Sequence, residues 1–412
     1  MRRRLTCLYL ALGGLLLFLA LLARPASVGA DSPISVISQD KIYSFAQQIR
    51  FTAEFSSTSP ITAVTLLVTA QGDWRVFNAA LPIPEDQTRV EVSYAMDLQG
   101  YPIYPFSQID FWWYVQSADG GVLETEPVTF LYADNRYDWR EVARDSVRVY
   151  WAADDPALGH TAARIAQDGL GRIQAILPEP LTQDIVIYIY PSLGELSSAL
   201  RLASRDWAAG IAYPELGVIL VSAGGGAVAT TELQNTLSHE VAHFAIQHSA
   251  GGRNARVPFW LHEGLATVNE VNPDPTFAIA LEQAVEGNNL FSLETLCAPP
   301  MADQSSALLS YAQSASIVRY LQNHYGNQVI RQLLAAYGDG ADCNGAVERV
   351  LGVTLDELHT NWVSSMRDGE ILTQSTAGDA AGLGLWIGLL GGGTALASML
   401  YLFRPRVRHS GV

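Results

Sequence analysis

A chain of 412 residues with 41 acidic and 25 basic side chains carries a net charge of −16. Arginines gather at both ends (Arg2, Arg3 and Arg4, then Arg404, Arg406 and Arg408), so the body between them is more acidic than the whole. Such a body disfavours nucleic acid as a partner, for which a basic face is needed, and says little about a substrate.

Residues 1–30 read as a secretory signal. Arg2, Arg3 and Arg4 form its basic start, Leu5 to Leu22 its apolar run, and Val28-Gly29-Ala30 a small-residue cleavage site. The apolar run is long for a signal, which leaves an uncleaved anchor open. Either form exports the rest of the chain.

From 31 to 134 the pattern is all β. Ile49 to Phe55 alternates, as do parts of Ile61 to Ala70 and Arg89 to Leu98. Phe111-Trp112-Trp113-Tyr114-Val115 is an aromatic strand, and Ala118-Asp119-Gly120-Gly121 is a turn toward Val128 to Tyr132. Short strands between turn residues predict a β-sandwich of immunoglobulin or fibronectin type. Nothing in it suggests catalysis, so a spacer or an interaction module is expected.

A charged, aromatic connector from Asn135 to Ala143 leads into a mixed pattern. Strands are expected at 146–151, 184–190 and 217–222, with a helix from His160 to Leu177. Beyond Gly224-Gly225-Gly226 the chain is predominantly helical.

Ser238-His239-Glu240-Val241-Ala242-His243 is the stretch that carries chemistry. Residues four apart share one face of a helix, so His239 and His243 can close on one ion. With one carboxylate from another element they make a three-ligand zinc site with an open fourth position. Glu240 is placed to reach a water there as general base. Thr230 and Thr231 ahead of Glu232 mark a helix start, and a mostly apolar surface around the motif predicts a buried helix. Glu263 lies downstream in Pro258-Phe259-Trp260-Leu261-His262-Glu263-Gly264-Leu265-Ala266, on a second helix.

HEVAH followed by a WLxEGLA-like helix resembles the gluzincin zinc metallopeptidases, in particular the peptidase MA-like domain of bacterial membrane-anchored proteins. The resemblance spans roughly Trp139 to Arg367. It implies His239, His243 and Glu263 as zinc ligands, Glu240 as catalytic base, and an α+β domain over 139–368. It also implies an edge strand that holds an extended peptide by main-chain hydrogen bonds, for which 217–222 stands in the corresponding place. Tyr311 resembles the tyrosine that stabilises the transition state in zinc aminopeptidases; packing on its own helix face is the other reading. The GxMEN-type strand by which those enzymes capture a free amine is missing from Gly210-Ile211-Ala212-Tyr213-Pro214. An endopeptidase acting on a peptide or protein is therefore expected. The alternatives are a non-catalytic surface binding protein that kept the fold, and a zinc hydrolase acting on another amide.

His262 adjoins Glu263 and is read as lying near the site or at its rim. Asn269 and Glu270 come within one to two helical turns of Glu263 and within reach of a ligand histidine, without a spacing that fixes a role. Further helices are expected at 277–285, 307–324, 328–337 and 354–366. Cys297 and Cys343 are an even pair in an exported chain, which favours a disulfide while sequence leaves their proximity open. Residues 369–379 read as a polar tether, and 380–403 as an uncharged segment long enough to span a bilayer. Basic residues in 404–412 place that tail in the cytoplasm. The expectation is a single-pass cell-membrane protein with its catalytic domain outside the cytoplasm.

Overall fold

The computed structural model describes residues 34–367, apart from 178, 202–208, 225–226, 252–255 and 300–303. The first half is built of strands β1 (Ile34–Ser44), β2 (Gln48–Ser57), β3 (Ile61–Ala70), β4 (Phe77–Leu81), β5 (Arg89–Asp97), β6 (Gln108–Ser117), β7 (Val122–Glu124) and β8 (Val128–Leu131). They form two antiparallel sheets, β1-β2-β5 and β4-β3-β6-β7, with β8 also on β6. Alternation explains why they stack. Ile49, Phe51, Ala53 and Phe55 of β2 face Leu66 and Val68 of β3 and Phe111, Trp113 and Val115 of β6, all buried, while the alternate residues are not. Each large side chain so buried stabilises the sandwich by about 1.5–3 kcal/mol.

A third sheet comes next, from β9 (Arg140–Arg144), β10 (Val147–Trp151), β11 (Ile185–Tyr190), β12 (Gly210–Tyr213) and β13 (Val218–Ser222). Its order is β12-β13-β11-β10-β9, parallel in the middle and antiparallel at both edges. The expected connector thus contains a strand. β9 pairs with β10 across a two-residue turn at Asp145, which sits in the left-handed region. Its sequence hides it, because Arg-Glu-Val-Ala-Arg turns only Val142 toward the core.

Helix α1 (Leu158–Gln174) crosses from β10 to β11, α2 (Leu193–Leu200) follows β11, and α3 (Ala227–Ser249) follows β13. The rest is helical: α4 (Phe259–Val268), α5 (Pro275–Glu286), α6 (Gln304–Tyr325), α7 (Asn327–Gly338), α8 (Cys343–Leu351) and α9 (Leu355–Arg367). α3 begins a turn before the expected threonines.

The mixed sheet is covered on both faces, which is why β11 reads as an unbroken apolar run. Ile185, Ile187, Ile189, Ile219 and Val221 meet the helices. Tyr188, Tyr190, Ile211, Tyr213, Val218 and Leu220 join the core of the sandwich instead. Phe106 stacks on Tyr188 at 3.5 Å between ring centres, and Trp139 stands edge-on to Tyr188 and Tyr190. Asp134, fully buried in this seam, accepts from Arg136 at 2.7 and 2.9 Å and from the Tyr190 hydroxyl at 3.1 Å. Burial first and the Asp134 charge second push the Tyr190 hydroxyl far up its usual range. The module expected as a spacer or an interaction module is therefore packed onto the back of the mixed sheet.

Cys297 and Cys343 form a disulfide that ties the turn after α5 to the start of α8.

The membrane expectation is corrected. Among the described residues no helix is long and apolar enough to cross a membrane. The signal at 1–30, the tether at 369–379, the span at 380–403 and the tail at 404–412 all lie outside the described residues. Apolar length, on which the expected span rests, is a necessary and not a sufficient condition for a spanning helix. The described architecture is a β-rich first half and a helical second half, without a spanning helix; the single-pass cell-membrane placement is withdrawn with it.

Candidate metal centre

Two helices bring the site together. α3 presents His239, Glu240 and His243, and α4 brings Glu263 across from it. α4 can lie this deep because Gly264 has no side chain: a Cβ there would stand 2.4 Å from the Ser314 carbonyl oxygen of α6. Glycine is needed by close approach, next in sequence to the carboxylate that the approach delivers.

The Nε2 atoms of His239 and His243 are 3.0 Å apart. Glu263 Oε2 is 3.2 Å from the first and Glu263 Oε1 3.1 Å from the second. All three residues are buried, and their ligand atoms form a group able to hold a metal ion. Donors held about 2.0–2.1 Å from a tetrahedral zinc stand about 3.3 Å from one another, which these separations nearly match. Among the described residues, neither Glu263 oxygen has a hydrogen-bond partner, although both are buried. Two imidazoles and an orphaned carboxylate aimed at one point fit zinc.

The electrostatics reflect that convergence. Burial alone pulls the His239 imidazole down, but the adjoining carboxylates of Glu263 and Glu270 outweigh it and hold the group well above its ordinary range. His243 is lowered by burial, which the Glu263 charge only partly offsets. Burial acts to raise Glu263, and the three surrounding histidines overcome it and hold the carboxyl well below its usual range.

Glu270 and Asn269 do different things. The Glu270 carboxylate is 2.9 Å from His239 Nδ1. That contact makes Nδ1 a donor to Glu270 and turns Nε2 toward Glu263 and His243. Asn269 does not touch a histidine; its amide donates to the Ser238 carbonyl at 2.7 Å and the Gly169 carbonyl at 3.2 Å. Arg172 adds bonds to the Ser238 hydroxyl and the Asn269 carbonyl, at 3.0 and 3.1 Å. Together they lock α1, α3 and the end of α4 beside His239.

His262 is buried rather than at a rim. Its ring stacks on His243 at 4.4 Å and 12°. Burial, and then the neighbouring His243, push its imidazole down to about 4. Tyr311, on α6, is buried with its ring 6.4 Å from that of His239 and 5.9 Å from that of Phe259. Burial raises the phenol well above its usual range, and the charges of Glu263, Glu240 and Glu270 raise it further. It is a neutral O–H near the three-ligand group.

One neighbour escapes the sequence reading. Among the described residues the edge strand of the mixed sheet beside α3 is β12, not 217–222; β13 runs between β12 and β11. β12 lies against α3 so closely that a Cβ on Gly210 would be 2.7 Å from Thr236 Cγ2 and 3.1 Å from Glu240 Oε1. Ile211 and Tyr213 point into the sandwich core, so β12 offers the helix side only Gly210 and Ala212. A four-residue strand with glycine and alanine on one face has no alternation to read.

Residues 165–368 match the family model described as Peptidase MA superfamily. No curated protein matches the chain. Among solved structures, an aminopeptidase N family protein from Idiomarina loihiensis aligns over 79% of this chain and 75% of its own at 9% identity, with a TM-score of 0.40. Wild-type OgpA from Akkermansia muciniphila aligns over 24% of this chain at 11% identity and a TM-score of 0.21. The chain spans 28% of the length of OgpA. A family 56 carbohydrate-binding module that binds β-1,3-glucan aligns over 23% of this chain and 95% of its own, at 14% identity and a TM-score of 0.15. The family match, spanning HEVAH and Glu263 alike, supports a gluzincin-like peptidase domain over residues 165–368.

Proposed function

We propose that the chain is a zinc-dependent peptidase, and an endopeptidase rather than an aminopeptidase. The observation that carries this is the meeting of His239 Nε2, His243 Nε2 and Glu263 at 3.0–3.2 Å beside Glu240. His239, His243 and Glu263 would hold the zinc. When bound, it supplies a Lewis acid that polarises a carbonyl and makes water a stronger acid. Glu240 takes the proton of the attacking water and passes it to the leaving amine. Tyr311 donates its hydroxyl proton to the oxygen that gains charge as the carbonyl is attacked. An extended substrate adds to the free edge of β12 through main-chain hydrogen bonds, and the small face of Gly210 and Ala212 leaves it room. No acidic side chain of Gly210–Tyr213 is available to hold a free amine, which favours cleavage within a chain.

Metal content and turnover test this together. Protein prepared without chelator should carry one zinc per chain, lost in His239→Ala and in Glu263→Ala. Glu240→Gln should keep the zinc and lose about 10²–10⁴-fold in peptide cleavage. A zinc-free wild type, or full activity in Glu240→Gln, would refute the reading.

A further inference from the structure

We propose that the loop between β3 and β4, with Trp74 at its tip, extends the substrate strip of the candidate site and grips an apolar side chain of an extended polypeptide several residues from the cleaved bond. This rests on the peptidase reading and deepens it.

The loop lies against the turn that ends β12. Gln71 Nε2 donates to the Glu215 carbonyl at 3.3 Å. Gly72 approaches so closely that a Cβ on it would be 3.3 Å from Leu216 Cδ2. Tyr104 packs on Tyr213 with ring centres 5.3 Å apart. Because the sandwich and the mixed sheet share a core, the loop is fixed relative to β12.

A strand added to β12, with its reacting bond opposite Gly210 and Glu240, continues past Tyr213 toward this turn. At about 3.3 Å per residue, the end of β12 is about 10 Å from that bond, and the loop is within reach of the fourth to sixth substrate residue.

The loop is also built to present what it carries. The Asp73 carboxylate accepts from the Arg75 backbone N–H at 3.0 Å and from its guanidinium at 2.6 and 2.9 Å. Arg75 in turn lies over the Tyr101 ring at 4.7 Å, and the Tyr101 hydroxyl donates to the Arg75 carbonyl at 3.4 Å. Between these clamped residues Trp74 is 89% exposed, with Val76 beside it at 50%. Single exposed apolar residues are ordinary, but here the backbone on both sides of the indole is braced, so the loop needs little ordering to present it. Its face suits an aliphatic, aromatic or proline side chain.

The probe is a randomised dodecapeptide pool retained on the Glu240→Gln chain, read by sequencing what stays bound. Retained peptides should be enriched in apolar side chains at one position. Adding Trp74→Ala should abolish that enrichment and lower retention about ten-fold, and Trp74→Phe should restore part of it. Trp74 lies outside both buried cores, so the variant tests binding rather than folding. Unchanged enrichment in Trp74→Ala, or no retention at all, overturns the proposal. Cleavage by the wild type is scored separately: retention that depends on Trp74 without cleavage sinks the peptidase reading and keeps the surface. Cleavage with no dependence on Trp74 does the reverse.

Discussion

His239 sits between two carboxylates, and the division of labour between them makes a testable claim. Glu263 faces Nε2 with His243, whereas Glu270 takes Nδ1 and sets the tautomer. Glu270→Gln keeps the size and loses the charge, so zinc affinity measured by competition with a chelator should fall about 10–100-fold. An unchanged affinity would mean that Glu270 does not orient the ring. Gly210 makes a second claim. Gly210→Ala pushes a methyl toward Thr236 and the Glu240 carboxylate, the nearest side chains, rather than toward His239, His243 or Glu263. A general base moved by a fraction of an ångström to 1 Å loses much of its effect, so kcat should drop about 10-fold or more with zinc content unchanged. If zinc is lost in parallel, the glycine serves the packing of α3 and not the base.

Among the elements, the disulfide spans the packing of the helical half. Cys297 and Cys343 are 46 positions apart, and closing a loop of that length restricts the unfolded chain by about 4 kcal/mol in the chain-entropy picture. The Cys297→Ser, Cys343→Ser double variant should be less stable by about 2–4 kcal/mol in urea unfolding, with an unchanged zinc site. The elements also show what sequence can carry. HEVAH is legible because a spacing of four fixes one helix face whatever surrounds it, and β11 because both its faces are apolar. β9 and β12 are not: one is nearly all polar at an outer edge, the other too short and too small to alternate. Residues 217–222 read as the substrate edge from their place in sequence, but β12 pairs along that side, and no pattern within 217–222 announces it. Glu270 and Gly210 act through proximity that only the crossing of α3, α4 and β12 creates.

At the scale of the whole molecule, the shared core decides how the protein comes apart. The aromatic seam of Phe106, Trp139, Tyr188 and Tyr190 and the buried Asp134 cluster leave no water-filled boundary between sandwich and mixed sheet. Calorimetry should therefore give one cooperative transition, and a fragment beginning at residue 139 should aggregate, because Tyr213, Val218 and Leu220 would face water. Two resolved transitions, or a monodisperse fragment, would count against a single unit.

The same seam sets a timetable during synthesis. The sandwich is made first, and its partner face is completed only when Ser222 has followed Trp139, more than 80 residues later. At about 5–20 residues per second that is roughly 4–16 s in which Tyr104, Phe106 and Trp139 lack their partners among Tyr188, Tyr190 and Tyr213. A newborn chain is most vulnerable in that window, and slowed elongation across 139–222 should cost yield more than an equal delay anywhere after it.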